Sequence, residues 1–520
     1  MKIREYDAEG MKKSFEEKGY KLPRFDRDII KKKTLNEPAW IHFGAGNIFR
    51  AFPAAVLQKL LDNGIYDKGI IVGEGFDYEI IEKAYKPYDS LSLLVTLKAD
   101  GTIDKEVIAS VVDAHIVSDD ENSSEWQEFC RLFTMPSLQM VSYTITEKGY
   151  GFFENGIMEK TAKLLYERFK AGAYPIAMVS MDNCSHNGDK LKTVVLGYAK
   201  QWVCEGKVPK DFLDYLSDPK KVSFPWSMID KITPRPDIKV QKLLESDGFE
   251  DNALIITSKN TYTSAFVNAE EVQYLVIEDS FPNGRPPLEK GGIYFADRET
   301  VDKVEKMKVC TCLNPLHTAL AVYGCLLGYK LICDEMKDTE LVKLVKRLGY
   351  VEGMPVVTDP KIISPKTFID EVVYKRLPNP FMPDAPERIA TDTSQKLPIR
   401  FGETLKAYLE KDMDITKLTA VLLVIAGYCR YLMGVRDDGE AFTPSPDPLL
   451  LELQAYVEDV KLGQGRLTAA QRENMVKFLG RKDVFAVDLN EICLADKIIG
   501  LFEELIADKG SVREVLRKYL

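Results

Sequence analysis

Histidine is scarce in this chain. His42, His115, His186 and His317 are the full set in 520 residues, and no two are close in sequence. That distribution offers no zinc-type ligand cluster. The nine cysteines are scattered and odd in number, which speaks against a disulfide framework and fits reduced thiols in a cytoplasmic enzyme. Cys310 and Cys312 form a C-x-C pair, too sparse by itself to propose a metal, so no metal is expected. Long apolar runs are also missing. The longest, Leu418 to Ala426, is too short to span a bilayer and is soon followed by Arg430. The N-terminal segment has no apolar stretch of the signal-peptide kind, so no membrane partner is expected. A basic stripe is absent too: the net charge is -10 and the pI about 5.3, which sets nucleic acid aside as a partner. No internal repeat or low-complexity segment is visible.

What is present is an ordinary globular composition, 45% hydrophobic and 29% charged, in a chain too long for one core. Two domains are expected, 1–300 and 301–520. Residues 1–38 are charged and read as partly helical. A strand, Ala39 to Phe43, then runs into Gly44-Ala45-Gly46-Asn47-Ile48-Phe49-Arg50 and a helix reaching about Asn63, with Gly64 as its cap. A second strand, Gly69 to Gly73, ends at Glu74. Strand, glycine turn, helix, strand and acid outline a dinucleotide-binding unit. Gly44 and Gly46 would let the backbone approach a pyrophosphate lying on the helix N-terminus, and Glu74 would accept from the adenosine ribose. Phe49 stands where a third glycine is usual, and a glycine turn after a strand is also common without any ligand.

Leu93 to Ser118 reads as a strand pair around Asp100-Gly101. The strand Leu138 to Thr144 leads into Ile145-Thr146-Glu147, and the strand Pro175 to Met181 ends at Asp182-Asn183-Cys184. Polar residues just past a buried strand are where open α/β sheets bind ligands, although a plain Asn/Asp/Gly turn has the same composition. Strands at Ala253 to Thr257 and Tyr274 to Ile277 are expected to continue the sheet. From about residue 300 helix starts recur, at Ser364-Pro365, Asp447-Pro448 and Ser511, and Leu418 to Val435 reads as a buried helix. The fold class is α/β: an N-terminal Rossmann-type domain followed by a mainly α-helical one.

The most informative stretch is Lys308 to Tyr329. Asn314 followed by Pro315 predicts a helix that Asn314 caps and that carries His317 in its first turn. An apolar helix that brings Lys, Asn and His to one end suits a reaction site. The same residues also read as a capping Asn, a satisfied core His and a solvated Lys.

Several stretches together resemble the polyol-specific long-chain dehydrogenases, the mannitol dehydrogenase and uronate reductase family. They are Phe43 to Arg50, Ser142 to Tyr150, Ser180 to Gly188, Val222 to Pro234, Ile277 to Pro286 and the Lys308 stretch, with Arg388 and Lys396 in register beyond. The resemblance implies a Rossmann-type domain, a helical domain, an active site between them, NAD(H) or NADP(H), and no metal. It also implies roles. Lys308 would be the general acid/base, Asn183 and Asn314 would donate to the reacting oxygen, and His317 would orient substrate or move a proton. Arg388, Lys396 and, nearby in sequence, Arg400 would hold the distal groups of the substrate. Gly44, Gly46, Asn47, Ile48, Phe49, Arg50, Glu74 and Thr146 would line the cofactor, with Glu74 favouring NAD over NADP. This chemistry is coherent: hydride transfer to a ketone builds negative charge on oxygen, fixed donors stabilise it, and a desolvated lysine supplies the proton.

Two departures stand out. The family places four residues between the lysine and the asparagine, whereas Val309 to Leu313 make five here. A bulge before Pro315 would absorb the extra one; otherwise Lys306 becomes the alternative lysine. Phe52 also stands where mannitol dehydrogenases carry histidine, which places the chain nearer the uronate reductases. The expected reaction is therefore NAD-dependent interconversion of D-fructuronate and D-mannonate by a monomer or small homo-oligomer. Mannitol 2-dehydrogenase-like polyol oxidation, tagaturonate reduction and a non-catalytic NAD sensor are the alternatives.

Overall fold

The computed structural model describes all 520 residues and divides into two compact units, one formed by Met1–Lys98 with Thr102–Asp302, the other by Ala99–Gly101 with Lys303–Leu520. The first is built on a six-stranded sheet. Its strands lie in the order Val111–Ile116, Ile70–Glu74, Trp40–Phe43, Met140–Tyr143, Ile176–Ser180 and Val222–Ser223, all parallel. Numbered along the chain that is 3-2-1-4-5-6, the doubly wound Rossmann order, whose connection reverses between Trp40–Phe43 and Met140–Tyr143. The central strands are buried along their whole length, as expected of parallel strands covered on both faces. Helices such as Pro53–Asp62 and Ile157–Lys170 supply that cover.

The remaining strands depart from expectation. The pair around Asp100-Gly101 is an antiparallel hairpin, Ser92–Leu97 with Ile103–Ile108, while Val111–Ile116 leaves it to join the parallel sheet. The hairpin belongs to a separate four-stranded sheet that also holds Phe266–Glu270. The segments expected to extend the main sheet do not. Ile255–Ile256 pairs only with Tyr262–Thr263, and Tyr274–Glu278 lies in a three-stranded sheet with Ser227–Asp230 and Tyr294–Ala296. Local alternation of residues carries no information about which sheet a strand joins.

The second unit is helical. Its centre is a pair of buried helices, Asn314–Leu327 and Thr419–Leu432, in contact and joined by a 2.7 Å hydrogen bond from the Tyr323 hydroxyl to the carbonyl of Leu423. Leu418, the residue before Thr419–Leu432, offers no capping side chain. Instead the Glu352 carboxylate reaches in and accepts from the amides of Ala420 (2.8 Å) and Val421 (2.9 Å), placing an anion at the positive end of the helix. The helical run Arg298–Leu327 is long and apolar enough by composition to cross a membrane, but 78% of its apolar window is buried inside the fold.

Within that run one turn is widened. Arg298–Met307 and Asn314–Leu327 are α-helical, and Lys308–Cys312 between them is a π turn closed by Leu313 N donating to Lys308 O at 3.1 Å. The expected helix start at Asn314 is therefore not a free start. Asn314 is the first residue of the helix beyond the π turn, Leu313 holds the cap position between them, and the Asn314 side chain makes no capping bond. Proline at the next position is tolerated because Leu313 and the widened turn have already broken the α-type ladder. Three further π turns, Arg347–Gly353, Val372–Arg376 and Pro398–Gly402, lie in the same unit, and the first and last of them pack against Lys308–Cys312.

Candidate active site

The first unit forms a crevice where the sheet reverses. Gly44 adopts φ +103, and a Cβ there would lie 2.2 Å from the carbonyl oxygen of Thr144, so only glycine allows the two strand ends to approach so closely. Gly46 is different. Its φ of -75 is ordinary, and a Cβ would meet no protein atom within 4 Å. Nothing inside the protein demands glycine there; the open space above it is what a pyrophosphate would need. The first bond of the following helix is Arg50 N to Gly46 O at 3.4 Å, so the amides of Asn47, Ile48 and Phe49 precede the internal ladder. These features fit a dinucleotide.

Beneath the turn lies a buried polar chain. Trp40 Nε1 donates to Ser142 Oγ (2.7 Å), which lies 2.6 Å from His42 Nδ1; His42 Nε2 lies 2.9 Å from Thr144 Oγ1, which donates to Gly44 O (3.2 Å). Because the Thr144 proton goes to Gly44, Nε2 of His42 carries the ring hydrogen and Nδ1 accepts from Ser142. Burial pushes His42 down to about 3, so the ring is neutral, and Phe49 stacks on it at 4.0 Å. Each member has a partner, and the chain ends on the glycine whose conformation shapes the turn.

Several expected cofactor residues need correcting. Phe49 is fully buried on His42, and Arg50 is 1% exposed; neither side chain is free to line a ligand. Arg50 donates instead to Ser264 O (2.7 Å), Thr263 Oγ1 (3.0 Å) and Asn47 Oδ1 (2.8 Å). Asn47 in turn donates to Tyr262 O at 3.2 Å. Glu74 is also turned inward, accepting from the amides of Ala45 (2.9 Å), Phe76 (2.9 Å) and Asp77 (3.1 Å). Burial raises its carboxyl above the ordinary range against the pull of those amides. It braces the glycine turn rather than standing open at the strand end. Thr146 holds φ +66 with ψ 159, a conformation that costs a β-branched residue energy. It is kept there by Asp182, which accepts from Ile145 N (3.0 Å), Thr146 N (2.9 Å) and the Tyr150 hydroxyl (2.6 Å). Asn183 follows Asp182 at the exposed lip of that turn.

The second unit gathers the other candidates around the start of Asn314–Leu327. Lys308 is 5% exposed, whereas Lys306 faces solvent. The amide side chain of Asn314 has no hydrogen-bond partner in the protein and is only half-buried, so its NH₂ and oxygen are available to a ligand. His317 Nε2 lies 3.4 Å from Asp384 Oδ2, and Arg388 grips the other oxygen of the same carboxylate. Burial pushes Asp384 up, but His317 and Arg388 outweigh it and hold the carboxyl below its usual range.

Lys396 and Arg400 stand apart electrostatically. Lys396 donates to the carbonyls of Ile389 and Thr391, and burial, with Arg400 and Arg388 nearby, lowers it to about 8. Arg400 uses only Nη1, toward Thr318 Oγ1 (2.5 Å) and Asn314 O (3.4 Å), and burial lowers it to about 10. Neither cation is in an ion pair, although Asp392 and Asp447 lie near enough to Lys396 to oppose its lowering. Two partly desolvated cations, each without an ion-pair partner and close enough to perturb each other, form a site that an anion would complete. Sequence reading missed Asp384 and Thr318, and it missed that the hairpin after Ile255 buttresses the nucleotide helix. The four-residue spacing from Asp384 to Arg388 was the one local signal for the first of these.

Models for the mannitol dehydrogenase Rossmann domain and the mannitol dehydrogenase C-terminal domain match residues 38–290 and 300–505. A D-mannonate oxidoreductase of Thermotoga maritima is 51% identical, with 97% of this chain and 96% of the relative covered. A polyol:NADP oxidoreductase of Gluconobacter oxydans is 27% identical over 94% of this chain and 95% of its own length. Among solved structures, a substrate-free D-sorbitol dehydrogenase aligns with a TM-score of 0.73 at 24% identity, covering 94% of this chain and 97% of that one. A Pseudomonas fluorescens mannitol 2-dehydrogenase, solved with NAD and D-mannitol, aligns at 0.66 and 24% identity over 96% of each chain. At that identity the structures speak for the fold.

Proposed function

The chain belongs to the mannitol dehydrogenase family, and on that premise we propose that it is an NAD-dependent oxidoreductase interconverting D-mannonate and D-fructuronate. The observation that carries the substrate class is the pair of half-buried cations without ion-pair partners, Lys396 and Arg400, beside the open amide of Asn314. A neutral polyol gives such a pair nothing to neutralise; a uronate carboxylate does. The 51% identical D-mannonate oxidoreductase supports the same reading. The nine cysteines, all free, are compatible with a cytoplasmic setting.

NAD(H), when bound, supplies the hydride for reduction and takes it up in oxidation. The backbone from Gly44 to Phe49 and the strained turn at Thr146 would hold it. Lys308 delivers a proton from Nζ to the reacting oxygen during reduction and recovers it during oxidation. Asn314 and Asn183 donate amide hydrogens to that oxygen as charge builds on it. Asp384, whose carboxylate lies 3.4 Å from Nε2 without a hydrogen bond to it, would hold the ring of His317 electrostatically and leave Nδ1 to orient a substrate hydroxyl. Arg388 is tied to Asp384 and sets the position of that pair; Lys396 and Arg400 take the carboxylate.

The π turn supports Lys308 over Lys306. An extra residue in an unbroken α-helix would rotate the lysine by about 100° away from Asn314 and His317. The widened turn takes up that residue, so the helix on either side keeps its phase. The test is a panel of NADH oxidation at 340 nm with fructuronate, tagaturonate and fructose. Fructuronate should have the highest kcat/KM. Fructose turning over as well as either uronate would overturn the carboxylate reading, and silence with all three would favour an NAD sensor.

A further inference from the structure

The short hairpin Ile255–Ile256 with Tyr262–Thr263 belongs to neither large sheet of the first unit, yet it is fastened at both ends to the nucleotide crevice. At one end Asn47 and Arg50, at the start of the nucleotide helix, bond to Tyr262, Thr263 and Ser264. At the other end its turn is pinned to the segment that follows Glu74. Thr257 Oγ1 donates to the buried Asp77 Oδ2 at 2.6 Å, and Ser258 N donates to Glu79 Oε1 at 3.2 Å. The third pin is Lys259. Its Nζ donates to Phe76 O at 2.6 Å and sits 3.9 Å from the centroid of the Phe76 ring, which is itself 68% exposed. Lys259 forms no ion pair: a carbonyl and an aromatic face are its contacts, and Asp119, itself bound by Lys160, is an acid near enough to feel its charge.

This placement matters because the end of the second Rossmann strand is where a dinucleotide's adenosine ribose is read. A carboxylate there favours a free 2′-hydroxyl, and a nearby cation accommodates a 2′-phosphate. Glu74, the expected discriminator, is turned inward onto three backbone amides, so its charge is already held by the protein. The charge left facing outward beside Phe76 is the ammonium of Lys259, brought from 183 positions along the chain by the hairpin. No residue adjacent to Glu74 in sequence is basic, which hides this arrangement from linear inspection.

We propose that Lys259 is the counter-ion for a 2′-phosphate, so that the protein binds NADP(H) as well as NAD(H). The proposal rests on the dinucleotide reading of the crevice. Its test measures binding rather than turnover: titration of NADH and NADPH by nucleotide fluorescence, and of 5′-AMP and 2′,5′-ADP by calorimetry, in the full chain and in Lys259→Ala and Lys259→Glu. In the unaltered protein NADPH should bind within about 10-fold of NADH, with a steeper loss of affinity as salt rises. Lys259→Ala should weaken NADPH and 2′,5′-ADP by about 10- to 100-fold, the range for a charge-assisted contact, and leave NADH and 5′-AMP within about 2-fold. Lys259→Glu should widen that gap. If the unaltered protein binds NADH but NADPH more than about 100-fold more weakly, or if Lys259→Ala weakens both nucleotides equally, Lys259 is not a phosphate contact and the proposal is wrong. If no nucleotide binds at all, the dinucleotide reading itself has failed.

Discussion

The amide of Leu313 donates to the carbonyl of Lys308, five residues back, at 3.1 Å. An α-helix would close that turn after four, so the bond accounts for one residue beyond the regular ladder. It follows that removing one residue inside the turn should convert it to an α turn without rotating Lys308 relative to His317. Deleting Val309, which is only half-buried, should leave a folded protein whose kcat stays within about 10-fold of the parent. Inserting an alanine at the same place has no such compensation and should abolish activity. Equal damage from deletion and insertion, measured by kcat and by Tm, would count against the phase argument.

Asn314 separates chemistry from stability. An asparagine that capped a helix would cost about 0.5–2 kcal/mol on replacement by alanine. Here its side chain caps nothing, so Asn314→Ala should leave Tm within a degree or two while kcat falls by about 10²–10³-fold, as for the loss of one oxyanion donor. Lys308→Ala should lower kcat at least as far and leave NADH affinity nearly unchanged; Lys306→Ala, at an exposed position, should do neither. A dead Lys306→Ala alongside an active Lys308→Ala would show that the lysine has been misassigned.

Glu335 gives a prediction on stability alone. Its carboxyl is fully buried, neither oxygen has a hydrogen-bond partner, and a methyl at Gly324 would lie 2.1 Å from Oε1. Burial, with Asp338 adding to it, raises this group well above the ordinary carboxylate range. A folded-state value above the unfolded one means the folded chain holds the proton longer. The associated stability is complete below the unfolded value near 4.5 and is lost as pH rises toward the folded one. Glu335→Gln keeps the shape and removes the titration. Its Tm advantage over the parent should therefore grow from pH 5 to pH 8; parallel Tm curves across that range would show that Glu335 ionises freely.

Much of the architecture is legible in the sequence. The glycine turn, the buried apolar strands and the buried Leu418 helix all follow from local pattern, because each is set by residues within one element. What escaped is what depends on distant partners. Residues 253–257 and 274–277 read as strands, but their sheet is chosen by tertiary packing. Phe49 and Arg50 sit in the glycine-turn motif, yet their side chains are taken by His42 and by a hairpin more than 200 residues away. The pairing of His317 with Asp384 needs a loop no helical spacing foretells. The basic character of Lys396 and Arg400 was visible; their lack of an ion-pair partner was not, and that lack is what marks them.

That lack also sets the pH behaviour of substrate binding. Lys396 is lowered to about 8, chiefly by burial and then by Arg400, so it is charged below about 8 and neutral above. Arg400, lowered to about 10, stays charged throughout the working range. A carboxylate held by both should lose affinity as pH climbs through about 8 and keep a residual, pH-independent hold from Arg400. Measured as kcat/KM for D-mannonate between pH 6.5 and 9.5, the profile should show this loss, and a neutral polyol assayed in parallel should not. Lys396→Met should flatten the acid-substrate profile at its high-pH level. Arg400→Gln should instead lower it at every pH, by about 10- to 100-fold for the loss of one charge-assisted contact, with the step near 8 retained. Arg400→Gln also removes a desolvated cation that nothing in the protein neutralises, so Tm should hold or rise even as carboxylate affinity falls. A drop in Tm with unchanged discrimination between D-mannonate and the neutral polyol would assign Arg400 to holding Thr318 and the catalytic helix rather than the substrate.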